Sequence, residues 1–356
     1  MKVLTKTRLA LIFLAIACLI GVATSIIVNS LITNQIIFEA QERVKEDLNT
    51  ARYVYTSKIR DIDRTIRWTS ARQIVLTKAI KEKDISFIRD SFPKLMAEEG
   101  LDFLTLVDRK GTVIFRFHNP PASGDSLLHD PFIKSALEGN GVSGTQVLSG
   151  DELSMEGRSM AKKAIIQSIP VPKEKPTKKI EETSGMALKS AHPIIDFNGE
   201  ILGVLAGGVL LNQDYEIVDR IKNIVFKGAK YKGKEIGTAT IFLGDLRIST
   251  NVMDREGNRA IGTRAMKEVQ EQVLGKGMPW IQRAFVVDNW YITAYEPIQD
   301  IQDKIVGMLY VGMLESKYAL MKEKLILLFF FFSMSGMLIA LTVSFILSYM
   351  MLKKRD

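Results

Sequence analysis

Ile201-Leu202-Gly203-Val204-Leu205-Ala206-Gly207-Gly208-Val209-Leu210 and Ile305-Val306-Gly307-Met308-Leu309-Tyr310-Val311-Gly312-Met313-Leu314 share Ile, Gly, Leu, Gly and Leu in one register. The two stretches stand 104 residues apart, and Pro193-Ile194 with Asp196 returns at that spacing as Pro297-Ile298 with Asp300. So many coincidences in one register mark an internal duplication. Each stretch reads as a buried strand, whose glycines mark close backbone packing rather than a phosphate loop. The chain is therefore expected to contain two copies of one five-stranded α+β unit.

Outward from these strands the pattern keeps its period of two. Upstream, 187–195 and 200–210 form a hairpin across Asp196-Phe197-Asn198-Gly199, and 103–108 and 112–118 form another across Asp108-Arg109-Lys110-Gly111. The glycine of such turns supplies the positive φ that a tight reversal needs. A helix is expected at 131–137, stopped by Gly139, and a third strand at 161–169. Three prolines with several Lys and Glu residues make 170–185 a solvated excursion. In the second copy, strands are expected at 238–243 and 247–250 across Gly244-Asp245, then at 281–287, 290–296 and 304–314, with a helix at 264–274. The segment 214–226 reads as the connecting helix.

Before the first unit, 36–83 contains neither proline nor glycine, and Ile37, Val44, Leu48, Ala51, Tyr55, Ile59, Ile62 and Ile66 recur at helical spacing. A continuous helix there extends about 70 Å at 1.5 Å per residue. At the two ends lie apolar spans long enough to cross a bilayer, from Leu9 to Val28 and from Leu325 to Leu352. Lys2, Lys6 and Arg8 precede the first and Lys353, Lys354 and Arg355 follow the second, so both termini read as cytoplasmic and everything between as extracytoplasmic. The expected order is a cytoplasmic N-terminus (1–8), a membrane helix (9–33), a stalk helix (34–83), a membrane-distal unit (84–213), a membrane-proximal unit (214–322), a second membrane helix (323–352) and a cytoplasmic stub (353–356). The expected fold class is α+β: a long N-terminal helix and two five-stranded antiparallel-sheet units, flanked by transmembrane helices.

Among 356 residues the net charge is +8, of which Lys2, Lys6, Arg8, Lys353, Lys354 and Arg355 against Asp356 supply five. The remainder carries no nucleic-acid footprint, and the basic ends suit membrane lipid. One cysteine, Cys18 in the first apolar span, excludes an internal disulfide. His118, His129 and His192 lack metal-site spacing, and no nucleophile elbow, zinc-protease or phosphate-loop motif occurs, so neither an enzyme, a metal nor a cofactor is expected.

The first unit resembles the extracytoplasmic double Cache sensors of bacterial histidine kinases and chemoreceptors in Phe115-Arg116-Phe117-His118-Asn119-Pro120, Gly124-Asp125 and Ala136-Leu137-Glu138-Gly139. The second resembles them in Gly237-Thr238-Ala239-Thr240-Ile241-Phe242, Arg247-Ile248-Ser249-Thr250-Asn251-Val252, Arg259-Ala260-Ile261-Gly262-Thr263 and Trp290-Tyr291-Ile292-Thr293-Ala294-Tyr295-Glu296-Pro297-Ile298. The resemblance implies that both five-stranded units are PAS-like, with a small ligand between sheet and helical cover, an organic acid or amino acid. It also implies a bacterial inner-membrane location, and output through a separate histidine kinase or chemotaxis signalling protein, because the chain stops at Asp356 where relatives continue; the apolar stripe of the stalk helix, which could pack on its own domain or on a second copy, points to a homodimer. The alternative is a membrane scaffold or solute-binding protein without signalling.

Strand alternation puts Arg116 and His118 on one face of the first unit, with Lys162 on the neighbouring strand; this distal set is the favoured anion site. Arginine offers a carboxylate a bidentate fork, and histidine a further hydrogen bond. The second unit offers Arg247, with Ser249 on the same face, and Tyr291 and Tyr295, whose rings and polar tips suit a half-buried wall.

Overall fold

The computed structural model describes residues 2–169, 181–231 and 233–353. Most of the solvated excursion at 170–185 and of the stub at 353–356 therefore lies outside the described residues. The chain divides into two units, one made of Met1–Arg43 and Leu314–Asp356, the other of Val44–Met313.

The first of these holds the start of helix α1 (Lys2–Ser70) and the whole of the last helix, Glu315–Lys353. Both helices are long and apolar enough to cross a membrane. Leu19, Ile26, Leu31, Phe332, Leu338 and Phe345 are all exposed within the chain, which leaves these helices apolar surfaces that protein does not cover.

In the Val44–Met313 unit, α1 buries Val44, Leu48, Ala51, Tyr55, Ile62 and Ile66, the predicted stripe; Ile37, read as part of it, is exposed. The helix expected to reach residue 83 stops at Ser70. The hydroxyls of Thr69 and Ser70 bond the carbonyls of Thr65 and Arg67, a local competition with the helical ladder. Two short turns follow, Gln73–Thr77 and Lys78–Glu82, and end at Lys83 with φ +58°.

Helix α2 (Ser86–Glu99) leads into the first sheet: β1 (Phe103–Asp108), β2 (Val113–Arg116), β3 (Val142–Leu148), β4 (Gly185–Ile195) and β5 (Ile201–Leu210). Its order is β2-β1-β5-β4-β3, antiparallel throughout the registered pairs. Helix α3 (Pro131–Leu137) begins at Asp130, whose side chain accepts from the amides of Phe132 and Ile133. Helices α4 (Gly150–Glu156) and α5 (Arg158–Ala164) follow β3. This corrects the strand read at 161–169: Ser-Met-Ala-Lys-Lys-Ala continues as helix, and only Ile166–Gln167 is extended. The missing sheet strand is β3, whose Gly144 accommodates the side chain of Ile301. A Cβ at Gly144 would stand 2.7 Å from Ile301 Cγ2.

Helix α6 (Glu216–Phe226) connects to the second sheet: β6 (Gly237–Leu243), β7 (Leu246–Thr250), β8 (Trp280–Val286), β9 (Asn289–Gln299) and β10 (Ile305–Leu314). The order β7-β6-β10-β9-β8 reproduces the first sheet strand for strand. Val107 pairs with Val204 and Phe242 with Met308, the same rung displaced by 104 residues on the last strand. The helix read at 264–274 is shorter, α7 (Lys267–Gln270) followed by a π turn, Glu271–Gly275.

Candidate functional site

The duplication allows the two sheets to be read against each other. In the first sheet the face under α3 is a packed core: Phe132, Ile133 and Ala136 lie on Val107, Val113, Ala191, Val204 and Ala206. Lys189 on the same sheet forms a buried ion pair with Asp130, which also accepts from Gln146 Nε2 at 3.2 Å. On the second sheet the residues 104 positions after Lys189, Ala191 and Ala206 are Thr293, Tyr295 and Tyr310. By register, Val107 becomes Phe242 and Val113 becomes Arg247. Two small apolar residues and two valines have given way to two tyrosines, a phenylalanine and a cation.

These aromatic side chains form one cluster, with ring centroids 4.6 Å apart for Tyr295 and Tyr310 and 6.1 Å for Phe242 and Tyr295. The Arg247 guanidinium lies 5.1 Å from the Phe242 ring centre. Arg247 is 2% exposed. Its Nη1 donates to Thr263 Oγ1, its Nε is buried without a hydrogen-bond partner, and no carboxylate pairs with it among the described residues. Burial drives its pKa below the ordinary arginine value, against the opposing influence of Tyr295, Tyr310 and Tyr291. Burial also pushes the Tyr291 phenol up to about 12, and those of Tyr295 and Tyr310 further, so all three remain neutral donors. A second buried donor without a partner, Trp280 Nε1, belongs to the residue paired with Tyr295 across β8 and β9.

A bulge sets the direction of Arg247. Ser249 pairs with Ile241 and Arg247 with Phe242, so Ile248 is an extra residue. Arg247 and Ser249, predicted on one face, therefore lie on opposite faces, and the Ser249 hydroxyl donates to the Asp214 carbonyl. The first sheet has its bulge at the equivalent Ile114, which brings Arg116 to the face of Val113 instead of the opposite one.

Arg116 is buried, and its guanidinium is engaged on every side. Nη1 and Nη2 donate to Asp125 at 2.7 and 2.8 Å, Nη1 also to the Ala122 carbonyl, and Nε to Glu156 at 3.1 Å. His118 is exposed, its Nε2 2.7 Å from Ser159 Oγ. Lys162, read as a strand residue, is exposed on α5, so these three do not converge on an open cavity. Among the described residues no group of three or more His, Cys, Asp or Glu could hold a metal ion. A cleft of about 530 Å³ between α1 and both sheets has its charges satisfied, because Glu296 accepts from Arg52 Nε at 2.8 Å and Tyr55 bonds Thr145.

Sequence reasoning named Arg247, Tyr291 and Tyr295 but missed Phe242, Thr263, Trp280 and Tyr310. The repeat carried the signal: a position that is alanine in one copy and tyrosine 104 residues later marks where the copies differ in use.

Comparison with known families finds a match over part of the second unit. Residues 209–325 match the model of single cache domain 3. The matched segment contains β6 to β10 and with them Arg247 and the tyrosine cluster. No curated protein matches the chain. Among solved structures, the periplasmic domain of Vibrio cholerae LuxQ is 11% identical with a TM-score of 0.42, covering 76% of this chain and 98% of that one. The sensor domain of the V. cholerae histidine kinase DctB is 11% identical with a TM-score of 0.41, covering 77% and 96%. The ligand-binding domain of the Campylobacter jejuni chemoreceptor Tlp3, in complex with L-valine, is 9% identical with a TM-score of 0.41, covering 82% and 97%.

Two ion-paired carboxylates, the half-buried Asp125 and the buried Asp130, give the fold a pH dependence. The hydrogen bonds from Arg116 hold Asp125 below its usual range; at Asp130 burial acts upward, but Lys189 and the helix amides outweigh it and the pKa falls. A carboxyl depressed in the folded state contributes stability that is fully present above its unfolded value of about 4 and is lost as pH falls through the folded value. Urea midpoints of the full chain are expected to hold from pH 7 to about 4 and to drop below that; a midpoint unchanged at pH 3 contradicts this.

Proposed function

We propose that the chain is a membrane-anchored extracytoplasmic sensor whose Cache segment binds a small carboxylate on Arg247. The observation that carries this reading is a buried guanidinium with no acid beside it. An isolated buried charge costs several kcal/mol, and groups held in such a state cluster at functional sites. A bound anion removes that cost, so the ligand supplies the partner that the fold withholds. Trp280 Nε1 and the phenols of Tyr291 and Tyr295 are further donors, and the rings of Phe242, Tyr295 and Tyr310 are walls for an apolar body. With donors and aromatic surface but no carboxylate facing Arg247 among the described residues, the pocket favours a simple carboxylate over a zwitterion. The proposed site is accordingly the second unit, in preference to Arg116, His118 and Lys162, because Arg116 already has two acids.

Anchoring rests on the two apolar helices and their basic flanks, which favour cytoplasmic termini. Strand β10 carries Tyr310 and is continuous with the Glu315–Lys353 helix, so a ligand against that ring acts on a strand joined to a membrane span. The ligand can shift this pair only through different affinities for two arrangements. The partners called for are a second copy of the chain and a histidine kinase or chemotaxis signalling protein.

The test is a thermal-shift series on the full chain in nanodiscs with benzoate, propionate and succinate against the corresponding amines. At 100 times Kd a ligand adds about 2.7 kcal/mol of stability. Stabilisation by at least one acid and by none of the amines is expected; shifts with amines alone, or with no acid, sink the anion pocket.

A further inference from the structure

The segment beside the proposed Arg247 site is hydrogen-bonded on its outer side to a strap from the other sheet unit. Residues 262–265 run along the free edge of β7. The Arg247 amide donates to the Thr263 carbonyl at 2.9 Å, the Gly262 amide to the Arg247 carbonyl at 3.0 Å, and the Ala265 amide to the Asp245 carbonyl at 3.0 Å. Through Thr263 Oγ1 the same segment also holds the Arg247 guanidinium. On its outer side lie residues 166–169, which directly follow α5 of the first unit. The Ile169 amide donates to the Gly262 carbonyl at 2.8 Å, and Arg264 Nε donates to Ser168 Oγ at 3.2 Å. Gly262 has φ +82°, and a Cβ there would overlap the Gln167 carbonyl oxygen, so the two backbones are in direct contact. Neither the Cache match nor the pocket reading requires a strap from another unit across this segment.

We propose that residues 166–169 form a latch that sets how often the lid at 262–265 opens, and thereby lets the first unit control entry to the Arg247 pocket. This inference rests on the pocket reading above. It also gives the Arg116 network a role: Glu156, which Arg116 holds, ends α4, and α5 then leads straight into the strap. A change at Arg116 thus reaches the lid through about ten residues of chain. Arg116 and Glu156 act here as positioning residues, through the strap and not on the ligand.

Hydrogen exchange on the full chain in nanodiscs tests the latch without any ligand. Ile169→Pro removes the amide that donates to Gly262, and Ser168→Ala removes the acceptor of Arg264. Loss of one such hydrogen bond is expected to speed exchange of the Arg247 and Gly262 amides about tenfold in Ile169→Pro and about threefold in Ser168→Ala, with β1, β4 and β5 unchanged. Stopped-flow binding of benzoate is expected to show the same factors in the association rate. Unchanged exchange at Gly262 in a folded variant overturns the latch, and so does faster exchange with an unchanged association rate. If Ile169→Pro does not fold, Ser168→Ala decides. If the wild-type chain takes up none of benzoate, propionate and succinate, the pocket reading fails, while the exchange experiment still decides whether the strap holds the 262–265 segment.

Discussion

Arg247→Met is expected to abolish carboxylate binding and, at the same time, to raise the melting temperature of the ligand-free protein. Arg247 sits on the second sheet with one hydrogen bond, to Thr263, and one aromatic face, that of Phe242. These return about 1 kcal/mol each against a burial cost of several. Methionine keeps the length and the contact with Phe242 and removes the charge, so a net gain of about 1–3 kcal/mol is expected. Affinity for a carboxylate should fall at least about 100-fold, the usual scale for truncating one member of a buried charged pair. Arg116→Met supplies the control of opposite sign. There the cation already faces Asp125 and Glu156, and removing it strands both acids, so that variant should melt lower. Calorimetry of both variants, with and without benzoate, reads all of this. An Arg247→Met protein that is less stable than wild type and still binds removes Arg247 from the site.

The second large effect is mechanical. Gly203 and Gly307 occupy equivalent positions in the two copies, and a Cβ on either would stand inside a backbone carbonyl oxygen, of Val107 and of Phe242 respectively. A flexible side chain can rotate away from such a collision; a carbonyl engaged in a sheet cannot. Gly307→Ala is expected to cost at least about 3 kcal/mol, at the upper end of overpacking substitutions. Gly203→Ala should cost a similar amount in the first sheet. Gly257→Ala, at a position with nothing within 4 Å but φ +87°, should cost only about 1 kcal/mol. Urea unfolding of the three variants separates collision from backbone strain; equal losses in all three refute the collision account.

Much of the fold was legible because it is periodic. The 104-residue spacing between Ile201 and Ile305 foretold two sheets of one topology, and the stripe from Val44 to Ile66 foretold the buried face of α1. What escaped was aperiodic. A bulge at Ile248 leaves no mark on composition, yet it sends Arg247 and Ser249 to opposite faces, because alternation presumes an unbroken ladder. Strand β3 escaped because its Ser143-Gly144-Thr145-Gln146 is neither apolar nor β-branched throughout; its glycine answers to Ile301, more than 150 residues away. The end of α1 at Ser70 depends on side-chain competition that no breaker residue announces. The site was half legible: arginines and tyrosines could be named, but not which arginine had an acid beside it. Asp125 lies nine and Glu156 forty residues from Arg116, and only the folded chain brings both to one guanidinium.

The duplicated sheets place an internal blank within a single molecule. Most positions on the second sheet have a counterpart on a sheet of the same topology, where Val107, Val113, Ala191 and Ala206 stand in place of Phe242, Arg247, Tyr295 and Tyr310. A perturbation that alters both sheets alike reports solvent, temperature or detergent, and one that alters only the second reports occupancy. A difference signal between the two copies is therefore ratiometric: it needs neither a reference protein nor a known concentration, and it can be read in a membrane where neither is controlled.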